Sequence, residues 1–221
     1  MRTSHNDKFK FLQQRKYLID SLRRRGNLDN AVLDAMLELP REIFLGSAFQ
    51  LRSYEDTALP IDCNQTISQP YTVAYMTGEL KIKKDDKILE IGTGSGYQAC
   101  LLYLLGARVF TVERITELFE KSNLLFKELG MSINTRIGDG SLGWREFAPF
   151  DGIIVTAAAP KPPKSLMEQL AIGGRLVIPI GDKWSQTMYT IVREGENKYF
   201  EDKTDRFKFV PLIGKEGWDK E

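Results

Sequence analysis

Ile88-Leu89-Glu90-Ile91-Gly92-Thr93-Gly94-Ser95-Gly96-Tyr97, followed by Glu113 at the end of the apolar stretch Arg108 to Val112, reads as strand, glycine loop, helix, strand and acid. Gly92, Gly94 and Gly96 stand at alternate positions, so the backbone can turn sharply and meet a ligand without Cβ atoms in the way. Tyr97 occupies the place where the dinucleotide fingerprint G-x-G-x-x-G has its last glycine. The spacing therefore argues against a pyrophosphate cradle and for a smaller, phosphate-free nucleoside such as S-adenosylmethionine, with Glu113 accepting hydrogen bonds from the ribose hydroxyls. A glycine turn that holds no ligand is the bland alternative. The glycine loop and the acid both fall at strand ends, where open α/β sheets bind ligands.

Outward from this stretch, short apolar segments alternate with helical ones. Lys87 to Ile91, Arg108 to Val112, Asn134 to Gly138, Asp151 to Val155 and Gly174 to Ile180 are strand candidates, and Tyr97 to Leu105, Thr116 to Leu129 and Lys164 to Leu170 are helices. Such alternation implies parallel strands with both faces covered. Gln186 to Val192 and Arg206 to Val210 have no clear helix between them, so the sheet should end in an antiparallel hairpin or two late strands. The expectation is a doubly wound, mostly parallel, seven-stranded α/β sheet. Ahead of it, Phe9 to Arg25 carries Leu12, Leu18, Ile19 and Leu22 at helical spacing up to Gly26. Asp29 or Asn30 can cap a second helix bearing Val32, Leu33, Met36 and Leu37 before Pro40, and together these form an N-terminal helical cap. Tyr54 to Pro70 reads as an ordered loop and Tyr71 to Leu80 as a helix. One domain over 1–221 is expected, with helices and a loop in 1–80 and the ligand-binding core in 81–221.

With 31 Lys and Arg against 30 Asp and Glu in 221 residues, no overall field draws the chain to nucleic acid or to a membrane surface. No apolar run suits a signal peptide or a spanning helix, so a cytoplasmic protein is expected. Cys63 and Cys100, the only cysteines, give neither a metal cluster nor a disulfide framework. The only histidine, His5, lies in a polar N-terminal segment expected to fray. Histidine general-base chemistry and histidine metal sites are thereby nearly excluded, and no metal is expected. Trp144, Phe147 and Phe150 read as packing rather than as a base-stacking platform.

Several blocks taken together resemble one family. Tyr54-Glu55-Asp56, Gln65-Thr66-Ile67-Ser68-Gln69-Pro70-Tyr71, the Leu89 to Tyr97 loop, Thr111-Val112-Glu113-Arg114, Gly138-Asp139-Gly140, Gly143-Trp144, Phe150 to Pro160 and Gly173 to Pro179 look like the protein-L-isoaspartate O-methyltransferase family. The likeness runs from about Val32 to Trp218 and includes Phe209-Val210-Pro211-Leu212. The glycine loop is common to many methyltransferases, whereas Gln-Thr-Ile-Ser-Gln-Pro is specific. The resemblance implies a class I, Rossmann-like methyltransferase fold. It also implies transfer of a methyl group from S-adenosylmethionine to the carboxylate of L-isoaspartyl, and D-aspartyl, residues in damaged proteins, leaving S-adenosylhomocysteine and starting repair. The implied partners are isoaspartyl proteins and peptides, with no nucleic acid or membrane, and the chain is expected to be a monomer.

By similarity Ser68 takes the place of the family's active-site serine, and Gln65, Thr66 and Ile67 form the loop over cofactor and substrate. Gly92, Thr93, Gly94, Ser95 and Gly96 make the cofactor loop. Glu113 and Arg114 stand at the ribose, Gly138, Asp139 and Gly140 beside the adenine, and Gln186 is a further cofactor candidate. Three plainer readings stay open: Ser68 capping the helix near Pro70, Glu113 pairing with Arg114 or a lysine, and Asp139 shaping a turn.

Independently of the family, methyl transfer from a sulfonium needs nucleophile, methyl carbon and sulfur held in line more than it needs an acid or a base. The segment after the fourth strand, Thr156-Ala157-Ala158-Ala159-Pro160, offers no carboxylate or amide to deprotonate an amine. A carboxylate with a reference pKa of about 4 is already ionised near neutral pH. The chain departs from the family at Asp62-Cys63-Asn64, where a Gly-x-Gly stretch is usual. This loop is expected to be shaped differently, with Asp62 adding negative charge near an anionic substrate. Cys63 is expected to be inert.

Overall fold

A computed structural model of the chain describes residues 5–219; the outermost ends of the expected 1–221 unit lie outside it. The first helix, α1 (His5–Arg23), begins at His5 and ends before Gly26, whose φ of +75° stops it. Asp29 then caps α2 (Asn30–Glu38), its Oδ1 accepting from the Ala31 amide at 2.8 Å. The loop expected over Tyr54 to Pro70 contains a small antiparallel ribbon, β1 (Leu59–Pro60) with β2 (Thr66–Ile67), and leads into α3 (Pro70–Leu80).

The large sheet follows in chain order: β3 (Lys87–Ile91), α4 (Tyr97–Leu104), β4 (Arg108–Glu113), α5 (Thr116–Glu128), β5 (Asn134–Ile137), β6 (Phe150–Val155), α6 (Lys164–Glu168), β7 (Leu170–Gly181), β8 (Gln186–Gly195) and β9 (Lys198–Phe207). Its seven strands lie in the order β5-β4-β3-β6-β7-β8-β9. The first five in that order are parallel, and β8 and β9 are antiparallel to their neighbours.

Successive residues of the central strands enter opposite layers of core. Ile88, Val109, Ile154 and Val177 pack with Leu33, Met36, Val73, Met76 and Leu101 of the helices on one side. Leu89, Phe110, Ile153, Val155 and Leu176 pack with Leu166 of α6 on the other. That two-sided burial is why these strands are apolar almost throughout. Trp144, Phe147 and Phe150 surround Phe110, with ring centroids 4.7 to 5.8 Å from it; Phe110 and Phe150 lie in the core, Trp144 packs at its edge and Phe147 stays exposed on the outside.

Several ends shift by one to four residues, α1 among them (His5–Arg23 where Phe9 to Arg25 was expected), and two strands depart most from the sequence reading. The last strand is Lys198–Phe207 rather than Arg206 to Val210, because β9 is the sheet's edge and its mostly exposed, charged residues hide the strand pattern. β7 starts at Leu170, earlier than Gly174, with an irregular register opposite Phe150 to Gly152; the Gly173-Gly174 pair within it mimics a loop. No described helix is long and apolar enough to cross a membrane.

Candidate active site

β3 pairs in parallel with β4 on one side and β6 on the other, so the chain reverses its direction of winding there. The crevice beyond the carboxyl ends of β3 and β6 is where such sheets bind ligands. Gly92 leaves β3 with φ +94°, and a Cβ on it would lie 2.6 Å from Thr156 Oγ1 at the end of β6. Gly96 caps α4 with φ +86°, and a Cβ there would sit 2.7 Å from the Phe126 ring. The loop can thus lie flat against both neighbours only as glycine.

Three adjoining cavities open at this place. The first is lined by Gln65, Thr66, Gly92, Gly94, Glu113, Arg114, Gly140, Thr156 and Ala157, and is closed by Val210 to Ile213. The second, toward β2, has Ile67, Ser68, Glu90, Thr93, Gly94, Ser95, Tyr97 and Thr156 in its walls. The third, of about 810 Å³, lies outside Ser68 and is bounded by Thr66, Tyr71, Thr156, Trp184, Arg206, Lys208 and Phe209 among others. Thr66 and Thr156 belong to all three and form the seam between them.

Glu113 is 5% exposed, and its carboxylate is fixed by backbone amides. Oε2 accepts from Gly94 N–H at 2.8 Å, and Oε1 accepts from Arg114 and Ile115 N–H at 2.8 and 2.9 Å. Among the described residues it makes no ion pair, so the surface-pair reading is not realised. Three of roughly four lone-pair positions are used, which leaves Oε2 as the acceptor for a hydroxyl in the cleft.

The plain alternative for Ser68 is not realised either. Gln69 is the N-cap of α3 and makes no side-chain cap bond; the Tyr71 amide is taken by Asp56 Oδ1 at 2.8 Å. The Ser68 carbonyl accepts from Arg41 Nη2 at 2.8 Å, and its hydroxyl, without a partner among the described residues, is left to the cavities.

Asp139 does act in a turn. Oδ1 accepts from the Ser141 amide (2.9 Å) and hydroxyl (2.7 Å), and Oδ2 accepts from Lys215 N–H at 2.8 Å. Its neighbour Gly140, not Asp139 or Gly138, lines the cleft. Gly138 continues from β5 in extended conformation, its amide bonded to Glu113 O. Gln186 is displaced from the expected site. It is 1% exposed, donates Nε2 to Asp182 O, and accepts from Phe209 N–H with Oε1, so it anchors the C-terminal segment and borders none of the three cavities.

The Asp62 expectation also changes. Its carboxylate accepts from Lys121 Nζ at 2.7 Å, and Asp62 borders a different cavity from the one outside Ser68. Cys63 and Asn64, at φ 57° and 56°, form the two-residue turn of the β1–β2 ribbon. Desolvation first, then the neighbouring Glu117 carboxylate, raises the Cys63 thiol pKa, which keeps it in the unreactive protonated form.

Sequence reasoning assigned no role to Glu90. It is fully buried within β3, with Oε2 accepting from Thr111, whose hydroxyl lies 2.6 Å from that of Thr93. Oε1 has no donor. Burial, opposed by the Thr111 bond and reinforced by the Glu113 charge, raises Glu90 to about 8. An acid inside an otherwise apolar parallel strand was the available signal. Val210 to Ile213 carried part of the family likeness but no assigned role, because they reach the cleft through partners far away in sequence: Ala158 N–H donates to Val210 O, and Leu212 N–H to Ala158 O, both at 2.8 Å.

The family described as protein-L-isoaspartate(D-aspartate) O-methyltransferase matches residues 13–217. The chain belongs to that family. Among its relatives, the protein-L-isoaspartate O-methyltransferase of Chlorobaculum parvum is 50% identical over 94% of each chain. That of Chlorobium limicola is 51% identical over 93% of this chain and 95% of its own. A solved protein-L-isoaspartate O-methyltransferase superposes with TM-score 0.84 at 29% identity, covering 92% of this chain and 67% of the other. A second, from Plasmodium falciparum and in complex with S-adenosyl-L-homocysteine, gives 0.77 at 27% identity, covering 90% and 97%. The family match begins at residue 13, well before Val32, so it takes in α1 from that residue on.

Proposed function

We propose that this isoaspartyl methyltransferase carries out methyl transfer at the seam marked by Thr66 and Thr156, with S-adenosylmethionine in the glycine-loop cleft and the isoaspartyl carboxylate beside Ser68. Bound there, the cofactor supplies an electrophilic methyl carbon on a sulfonium. The carboxylate oxygen forms the new C–O bond, the C–S bond breaks with its electron pair going to sulfur, and no proton moves. The residues present fit that cofactor. Glu113 Oε2 keeps an acceptor for a ribose hydroxyl, Gly92, Gly94 and Gly140 leave room for close approach, and Glu90 Oε1 is a buried acceptor lacking the donor that an ammonium group brings.

The observation that carries the reading is the make-up of the seam. Thr156 is hydrogen-bonded to the Gly92 and Ile91 carbonyls at 2.8 and 3.0 Å, so its proton is committed. Beside it stand alanines and the free Ser68 hydroxyl. Among the described residues the seam itself, Thr66, Ser68, Thr156 and Ala157, therefore offers a donor to orient a carboxylate and no base to activate an amine, while sheet and loop hold the reacting atoms in line. Gln65, just before β2, and Thr66 and Ile67 of β2 stand in the walls of the adjoining cavities, as does Arg114. The same reading takes the chain as one catalytic unit working as a cytoplasmic monomer on protein and peptide substrates.

Incubation with methyl-labelled cofactor and paired isoaspartyl and aspartyl peptides tests it. Label should enter the isoaspartyl peptide as a base-labile ester and leave the aspartyl twin unlabelled; equal labelling of the two removes the assignment.

A further inference from the structure

The cavity outside Ser68 is much larger than one side chain requires, at about 810 Å³, and its charged lining is of one sign. Arg206 and Lys208, at and beyond the end of β9, are the charged residues in its wall, and both are exposed. Neither makes an ion pair or side-chain hydrogen bond with a described residue, whereas Lys198 and Lys203 on the same strand are paired with Glu194 and Glu201. Two described acids nearby already have partners. Asp56 pairs with Arg25 and accepts the Tyr71 amide. Asp182 Oδ1 accepts from the amides of Trp184 and Ser185 at 2.7 and 2.8 Å. That turn fixes the backbone under Trp184 while leaving its indole 81% exposed on the cavity wall.

Building on the proposed reaction, we propose that this cavity is a groove for acidic peptide, and that the enzyme prefers isoaspartyl residues flanked by Asp or Glu. Arg206 and Lys208 attract the flanking carboxylates, and Trp184 gives the peptide a flat apolar surface to lie on. The two cations also favour turnover. The acceptor carboxylate enters charged and leaves as a neutral ester, so the product has one attraction fewer than the substrate. Because both cations are solvated, the preference is modest and screened by salt.

Three isoaspartyl peptides of one length, with Glu, Gln or Lys on both sides of the damaged residue, test this with the full chain. At low salt kcat/KM should fall from Glu to Gln to Lys, with about three- to tenfold between the extremes. The spread should shrink toward unity at about 0.5 M salt, and the double variant Arg206→Glu, Lys208→Glu should reverse the order. Equal kcat/KM for the Glu and Lys peptides, or an unreversed order in the variant, overturns the acidic groove. The reaction itself is read separately from the Gln peptide and its aspartyl twin. Methylation of the isoaspartyl form alone upholds the assigned reaction whatever the charge ranking, and equal methylation of both forms overturns it and the groove together.

Discussion

Arg41 Nη2 donates to the backbone carbonyl of Ser68 across 2.8 Å. The same guanidinium donates Nε to Ser53 O at 3.0 Å and lies 5.1 Å from the centre of the Tyr97 ring. One buried cation thus ties the serine loop to the first residue of α4, at the end of the glycine loop. Burial pushes Arg41 down to about 10, so it stays charged at neutral pH. Arg41 touches no reactant in this reading and is a positioning residue. Arg41→Lys replaces a planar fork with a point donor and should lower kcat by on the order of ten- to a hundredfold through misplacement of Ser68. The dissociation constant for S-adenosylmethionine, measured by calorimetry, should change less than about threefold. A parallel loss of cofactor affinity would mark Arg41 as merely structural.

Ser68→Ala removes a hydroxyl that neither caps α3 nor bonds within the described residues. Methylation of an isoaspartyl peptide should fall strongly, while cofactor affinity stays within a few-fold and the melting temperature barely moves. Unchanged turnover would take Ser68 out of the site.

Glu113 and Asp139 separate by the same logic. Glu113→Ala deletes the cleft acceptor and frees the Gly94 amide, so cofactor affinity should drop about ten- to a hundredfold, as for a lost hydrogen bond to a charged group. Asp139→Ala frees the amides of Ser141 and Lys215 and should show first as lost stability, on the order of 1–3 kcal/mol. Calorimetric binding and urea denaturation distinguish the two. Equal effects of both variants on cofactor affinity would return Asp139 to the binding site.

The central strands were legible because parallel strands buried on both faces spell themselves out as apolar runs, and β3 was read to the residue. The glycine loop and Glu113 were legible for a related reason: backbone conformation and position after a strand are local. What stayed hidden was set by distant partners. Asp139 and Gln186 looked like ligands from their neighbours in sequence, yet their polar atoms are consumed by Lys215 and Phe209. Glu90 was visible as a letter, but its orphaned oxygen depends on how Thr111 of the next strand meets it. The edge strand β9 was misplaced because exposure on the sheet's rim removes the apolar signal.

Cys63 sits in the left-handed region at φ 57°, in a two-residue turn whose usual occupants are Asn and Gly. Cys63→Gly relieves that conformation and should raise the melting temperature by about 2–4 °C without altering cofactor affinity. An unchanged or lowered melting temperature in a thermal scan would show that the turn is unstrained.

Glu90 couples stability to pH in a direction opposite to that of a paired surface acid. Its proton is lost near 4.5 in the unfolded chain but only at about 8 in the folded one, because burial disfavours the charge. Between those values the unfolded chain binds fewer protons, so stability falls as pH rises from about 4.5 to 8, by on the order of a few kcal/mol. Below that window the contribution is intact, and above it the loss is complete. Glu90→Gln keeps an acceptor for Thr111 and cannot ionise. The stability of the Gln variant relative to the parent should therefore increase steadily through urea denaturations at pH 5, 6, 7 and 8, whereas a constant difference would mean that Glu90 is ionised throughout. If the Glu90 acceptor meets the cofactor's ammonium, binding below pH 8 also expels the proton. Calorimetry of the parent in buffers of different ionisation enthalpy should then detect proton release, and the Gln variant should abolish it.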